Sequence, residues 1–159
     1  MKKSILRERS FGMDPIIDFA ENAERTHFED IPADAVKMTK LSILDTLGTT
    51  LAGSKAPGVR AIVDRMTYWG GKEEATIFVY GGRVPAPDAA FLNSVMSHAL
   101  NLDGTHDGAG LHANAVVLPA ALACVESLGG VAGKTLIAAS LGQRRVNSRI
   151  ALIADLILL

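Results

Sequence analysis

The feature that most constrains this chain is the spacing of its apolar residues, which return every three or four positions over most of its length. From Ala33 to Ala52, Val36, Met38, Leu41, Leu44, Leu47 and Leu51 follow that step, the period of one helix face. Pro32 stands where a first helical position belongs, and Gly53 ends the run. Gly48 lies inside it at a cost of about 1 kcal/mol relative to Ala, which predicts close packing against a neighbour. The same spacing predicts helices from Pro15 to Arg25, from near Pro57 through Met66 to a stop at Gly70-Gly71, and from Asp88 to about Leu100. Two more run through Val116–Leu128, with Pro119 as a kink or the true first turn, and from Lys134 to Leu159. Only Ala75–Tyr80 changes period. It is short, β-branched and aromatic, with Gly81-Gly82 behind it, so one short strand or hairpin is expected near 75–84. The fold class is mostly α.

A hydrophobic share of 48% over 159 residues supports a buried core. Aromatic residues are only 5%, so that core must be built from Ala, Leu, Ile and Val. Lys+Arg 16 against Asp+Glu 17 gives a net charge of −1, which supplies no field for nucleic acid or an anionic membrane. A single cysteine, Cys124, excludes an internal disulfide and a multi-cysteine zinc site. Among Ala121, Leu122, Ala123 and Val125 it reads as inert core.

Residues 1–12 are basic without the apolar run of a secretory signal and read as a solvated tail, with Met13 an alternative start. Ile150–Leu159 is apolar but about half the ~20 residues a span needs, and Asp155 interrupts it. A cytoplasmic protein with no membrane partner is expected.

Polar residues collect in one loop between two apolar helices. Within Ser97–Asn114 fall His98, His106 and His112, with Asn101, Asp103, Thr105, Asp107 and Asn114 among them. Loops held by rigid elements commonly carry catalytic groups. An imidazole beside a carboxylate is suited to proton transfer near neutral pH. Each residue also has a plainer reading: His98 as a packed structural histidine, Asp103 as a turn former before Gly104, Thr105 as a loop hydrogen-bonder. Seven residues separate His98 from His106 and five separate His106 from His112. That matches no compact ligand pattern, so no metal site is expected. Gly129–Thr135 falls one residue short of a phosphate loop, because Leu128 occupies the first glycine position and no strand precedes it. Lys134 is better placed opening a helix.

At this loop the sequence resembles the MmgE/PrpD family, which includes 2-methylcitrate dehydratase, cis-aconitate decarboxylase and iminodisuccinate epimerase. The resemblance rests on His98–His106, on His112, and on Ala115–Ala123. Flanking blocks agree: Ile43–Gly48 with Leu51–Gly53, Trp69–Gly71 with Glu74–Thr76, and Arg83–Pro87 with Ala90–Asn93. It covers about residues 14–140. It implies a large all-helical domain, a smaller α/β domain elsewhere, a homodimer, no cofactor and a small di- or tricarboxylate substrate. Within it His112 is expected to be the acid or base and Asp103 its catalytic partner. Thr105, Asn101 and His106 are expected to bind substrate or support the imidazole.

The chain departs from the family's D-x-D-D-T pattern at Asn101 and Gly104, and Gly142–Val146 replaces its Gly-Tyr-Glu-Val. Asn101 cannot take a proton as a carboxylate does. Family members are several times longer, so residues 13–159 are expected to form an incomplete helical domain, prone to aggregation, oligomerisation or marginal stability alone. Three functions follow as alternatives: a cofactor-independent lyase or isomerase working by proton transfer α to a carboxylate, a truncated and inactive helical module, or a metal-dependent hydrolase. The last requires three ligands converging from among His98, Asp103, His106 and His112.

Overall fold

The computed structural model describes residues 25–105 and 110–141. The expected helix from Pro15 to Arg25 and the part of the last helix beyond 141 lie outside the described residues. A 3-10 turn at Phe28–Asp30 precedes α1 (Ala33–Gly53), α2 (Val59–Trp69), β1 (Ala75–Thr76), β2 (Arg83–Val84), α3 (Ala86–His98) and α4 (Ala113–Ser127). A further helix, α5, covers 133–141. The mostly helical architecture and the small hairpin are those the sequence predicts.

Local chemistry fixes most boundaries. Pro32 and Pro85 take the N-cap positions of α1 and α3 with extended backbone. α3 therefore starts two residues before the expected Asp88, with Pro87 in its first turn, where a missing N–H is harmless. Gly58 and Gly70 bracket α2 with φ of 87° and 69°. α4 begins earlier than expected, and Pro119 lies inside it rather than in its first turn. The proline has no N–H to give Ala115, so that carbonyl loses its helical partner.

The hairpin is short. Ala75 pairs with Val84 and Thr76 with Arg83, antiparallel. Ile77, just past these pairs, still donates its N–H to the Gly82 carbonyl at 3.1 Å and is buried. At the tip, the Tyr80 N–H donates to the Phe78 carbonyl at 2.7 Å across Val79. Val79 has φ of 67°, a conformation that a β-branched residue adopts only under strain. It is 54% exposed, so relieving the strain sacrifices little packing. Val79→Gly is expected to raise the urea midpoint, by a net of about 0.5–1 kcal/mol after glycine's extra unfolded-state entropy; a lower midpoint would refute the strain.

Side chains fasten the hairpin to the helices. The Asn93 carboxamide accepts from the Phe78 N–H at 2.9 Å and donates to the Thr76 carbonyl at 3.0 Å. Glu126 of α4 accepts from the Thr76 N–H and hydroxyl at 2.9 and 2.6 Å. Glu74 accepts from the Ala86 N–H at the start of α3. The Lys72 ammonium, and after it that N–H, hold the Glu74 carboxyl below its usual value. Val59, Val63, Met66, Ala75, Ile77, Val84, Ala89, Leu92, Met96 and Ala123 form the core. α3 lies at its centre, packed most extensively on α4 and next on α1.

α1 buries the opposite of what its apolar pattern suggests. Met38, Leu41, Leu44, Leu47 and Leu51 are 42–68% exposed, whereas Thr39, Thr46, Thr50 and Gly53 are buried. Each of the three threonines donates its hydroxyl to the carbonyl four residues back, at 2.7–2.9 Å. That satisfies the polar atom within the helix and leaves the methyl group to pack. Thr49 also lies 3.3 Å, hydroxyl to hydroxyl, from buried Ser97. Small residues let α1 and α3 approach closely, and the tightest point is Gly53 rather than Gly48. A Cβ on Gly53 would meet the Met96 carbonyl oxygen, while one on Gly48 would meet nothing within 4 Å. Cys124 is exposed, not core. Ala123, about 100° round the helix from it, takes the inward position.

Candidate functional site

α3 ends at His98, and the chain then turns sharply: the Asn101 N–H donates to the His98 carbonyl at 2.9 Å. Asn101 adopts φ of 53°, a left-handed conformation that asparagine tolerates better than most residues at a helix end. The reversal brings Asp103 back beneath the end of α3, and α4 begins just after His112, its N-cap residue. Two helix ends therefore hold the three side chains.

The Asp103 side chain is fully buried, with the His98 and His112 side chains 52% and 29% exposed. His98 Nδ1 lies 2.9 Å from Asp103 Oδ1, and His112 Nδ1 lies 3.0 Å from Oδ2. His112 Nδ1 is also 3.2 Å from the Asp103 backbone carbonyl. The two rings meet edge to face, centroids 4.7 Å apart and planes at 63°. An ionised carboxylate only accepts, so both imidazoles donate from Nδ1 and keep a lone pair on Nε2 when neutral. A buried carboxylate thus orients two imidazoles, each partly open to solvent. The arrangement suits a general base whose imidazolium form a fixed negative charge stabilises.

The expected pairing of Asp103 with His112 is present in the geometry. His98, which the sequence places as a packed structural histidine, completes it instead. The signal was its position five residues before Asp103 at the last turn of a helix, where a reversal of the chain brings the two together. Asn101 and Thr105 are exposed, and among the described residues neither hydrogen-bonds the carboxylate or an imidazole. His106 lies outside the described residues. Gly104 is not forced by crowding: a Cβ there would sit 3.8 Å from Asp45 Oδ2 and 3.9 Å from Asn114 Nδ2, ordinary contact distances. The segment 99–112 contains no Lys or Arg. Among the described cations, Arg60, Lys72, Arg83 and Lys134 are engaged with Asp64, Glu74, Glu126 and Glu29. His98, Asp103 and His112 also offer nitrogen and oxygen atoms that lie within 4.8 Å of one another. No helix among the described residues is long and apolar enough to cross a membrane.

Comparison with known proteins bears on the family. The MmgE/PrpD N-terminal domain matches residues 17–154. Cis-aconitate decarboxylase of Aspergillus terreus is 32% identical over 108 residues, 68% of this chain and 22% of that protein. The cis-aconitate decarboxylase-like protein oryM of Aspergillus oryzae is 32% identical over 97 residues, 61% of this chain and 20% of that protein. The matched region thus spans about a fifth of the length of these relatives. With a helical fold, a small hairpin and a family match across most of its length, the chain belongs to the MmgE/PrpD family.

Proposed function

We propose that this chain carries the proton-transfer element of a cofactor-independent lyase or isomerase acting on small di- or tricarboxylates. The observation that carries the reading is the buried Asp103 carboxylate bonded to His112 Nδ1 at 3.0 Å, with the imidazole itself partly exposed. In one direction His112 Nε2 takes a proton from the carbon α to a substrate carboxylate, and Asp103 stabilises the resulting imidazolium. Decarboxylation starts instead from a His112 imidazolium charged by solvent: the bond to the departing CO2 breaks, and its electron pair takes the imidazolium proton, so one solvent proton replaces the CO2. In dehydration the α proton passes to His112, the C–O bond breaks as the carbon–carbon double bond forms, and the leaving hydroxide takes the imidazolium proton to depart as water. Asn101, Thr105 and His106 are assigned to substrate binding. The segment 99–112 has no cation, so the charges that hold several carboxylates come from elsewhere in the assembly, here taken as a homodimer in the cytoplasm. On this reading residues 13–159 are part of a larger helical domain.

The experiment incubates the purified chain with cis-aconitate and with 2-methylcitrate, with and without chelator, following CO2 release and loss of water. Turnover that His112→Ala abolishes and chelator leaves alone is the expected result. A second reading, an inert helical module, is favoured by the exposed apolar row on α1; a well-folded chain with no turnover would establish it over the first. Chelator-sensitive turnover would point instead to a metal-dependent hydrolase.

A further inference from the structure

The three side chains that orient one another at the ends of α3 and α4 also form a donor set of two imidazole nitrogens and one carboxylate. From the geometry we infer that His98, Asp103 and His112 bind a divalent transition-metal ion of the zinc type, and that the bound ion inhibits proton transfer at the same site. The binding claim stands on geometry alone, and the inhibition claim rests on the proposed function.

Zinc prefers nitrogen and oxygen donors at ~2.0–2.2 Å in a tetrahedron, which puts neighbouring ligand atoms roughly 3.3 Å apart. His98 Nδ1 and His112 Nδ1 lie 2.9 and 3.0 Å from different oxygens of the Asp103 carboxylate, each within a few tenths of an ångström of that edge, so one ion is held with both carboxylate oxygens facing it. All three donors lie within 4.8 Å. The carboxylate is buried and preset, which reduces the ordering cost of binding. The half-exposed His98 ring leaves an entry path and a free coordination position for water. A hard oxygen-seeking cation such as Mg2+ is disfavoured by two imidazoles, whereas zinc and its neighbours accept them.

Coordination through Nδ1 has a definite chemical consequence. The ion replaces the Nδ1 protons now shared with Asp103, and each neutral imidazole then carries its proton on Nε2. No electron changes hands. His112 Nε2 thereby turns from an acceptor into a donor, so it cannot abstract a substrate proton while the ion is bound. Metal occupancy and base catalysis are mutually exclusive uses of one carboxylate.

The test titrates the 159-residue chain with ZnCl2 by calorimetry, beside His98→Gln and Asp103→Asn, each checked for native circular dichroism. One zinc per chain is expected, with affinity lowered by about 100-fold or more in each variant, since altering a ligand should cost at least what altering an outer-shell partner does. No binding to the wild type, or unchanged binding in His98→Gln, would overturn the site. Should a substitution unfold the chain, Co2+ added to the wild type decides: intense visible absorption of a four-coordinate ion supports the site, and the pale spectrum of the free ion refutes it. The two claims separate in the activity assay. Turnover that persists in saturating zinc removes the inhibition and leaves the binding. A metal-free chain with no turnover sinks the lyase reading and leaves the binding intact.

Discussion

Replacing Asp103 by asparagine is expected to lower turnover about 10²–10⁴-fold, with the circular dichroism spectrum unchanged. The native carboxylate accepts from two imidazoles at once, through one oxygen each. Asparagine keeps the shape but has one oxygen and a donating NH2 group. One imidazole then faces an N–H where it had an acceptor, so it must either tilt away or shift its own proton to Nε2. The second course removes the lone pair that would take the substrate proton. Any imidazolium formed also loses its countercharge in a buried setting, where such charge counts most. Measuring kcat and KM separately distinguishes this from a binding defect: the loss belongs in kcat. Turnover close to the wild-type rate would remove Asp103 from the mechanism.

Gly53→Ala is expected to destabilise the chain by about 1–3 kcal/mol or to prevent its folding. The added methyl would fall on the Met96 carbonyl oxygen, with Met96 C at 3.1 Å and the Ala99 Cβ at 3.3 Å. Backbone cannot swing aside as a flexible side chain can, so α1 and α3 would have to separate, and overpacking of this kind costs roughly 1–3 kcal/mol. Gly48→Ala in the same helix is the control. Its Cβ meets open space, and helix propensity alone should stabilise the chain by about 0.5–1 kcal/mol. Urea denaturation of both variants reads the contrast directly, and equal effects would refute the close contact at Gly53. The consequence reaches the site, because α3 carries His98 at the end beyond Met96.

How much of this was legible in the sequence depends on the level. The helices, the hairpin near 75–84 and the polar loop followed from period and from glycine and proline punctuation, which are local properties. The face that α1 buries did not follow. Apolar periodicity assigns the leucine row inward, but the threonines satisfy their own hydroxyls within the helix and so cost little to bury. In sequence Gly48 reads as the packing glycine and Gly53 only as a helix end, and the position of α3 moves the close contact to Gly53. At the site, the Asp103–His112 pairing was readable because both residues sit in one polar loop. His98 stands in the same stretch but reads as a packed structural residue, because its side chain joins the other two only after the backbone reverses at Asn101. Cys124 and Ala123 differ by one step round a helix that is apolar on nearly every side, and no periodicity chooses between them.

The leucine row on α1 has a calorimetric consequence. Five large apolar side chains stay 42–68% exposed after folding, so much of their surface is hydrated in both the folded and unfolded states. The heat capacity of unfolding reports the change in that hydration, about 12–15 cal/mol/K per residue for ordinary domains. This helix contributes less than its length suggests, because what it removes from water is largely threonine methyl and glycine backbone. Its stability curve is correspondingly flatter, and a partner that covered the row would steepen it.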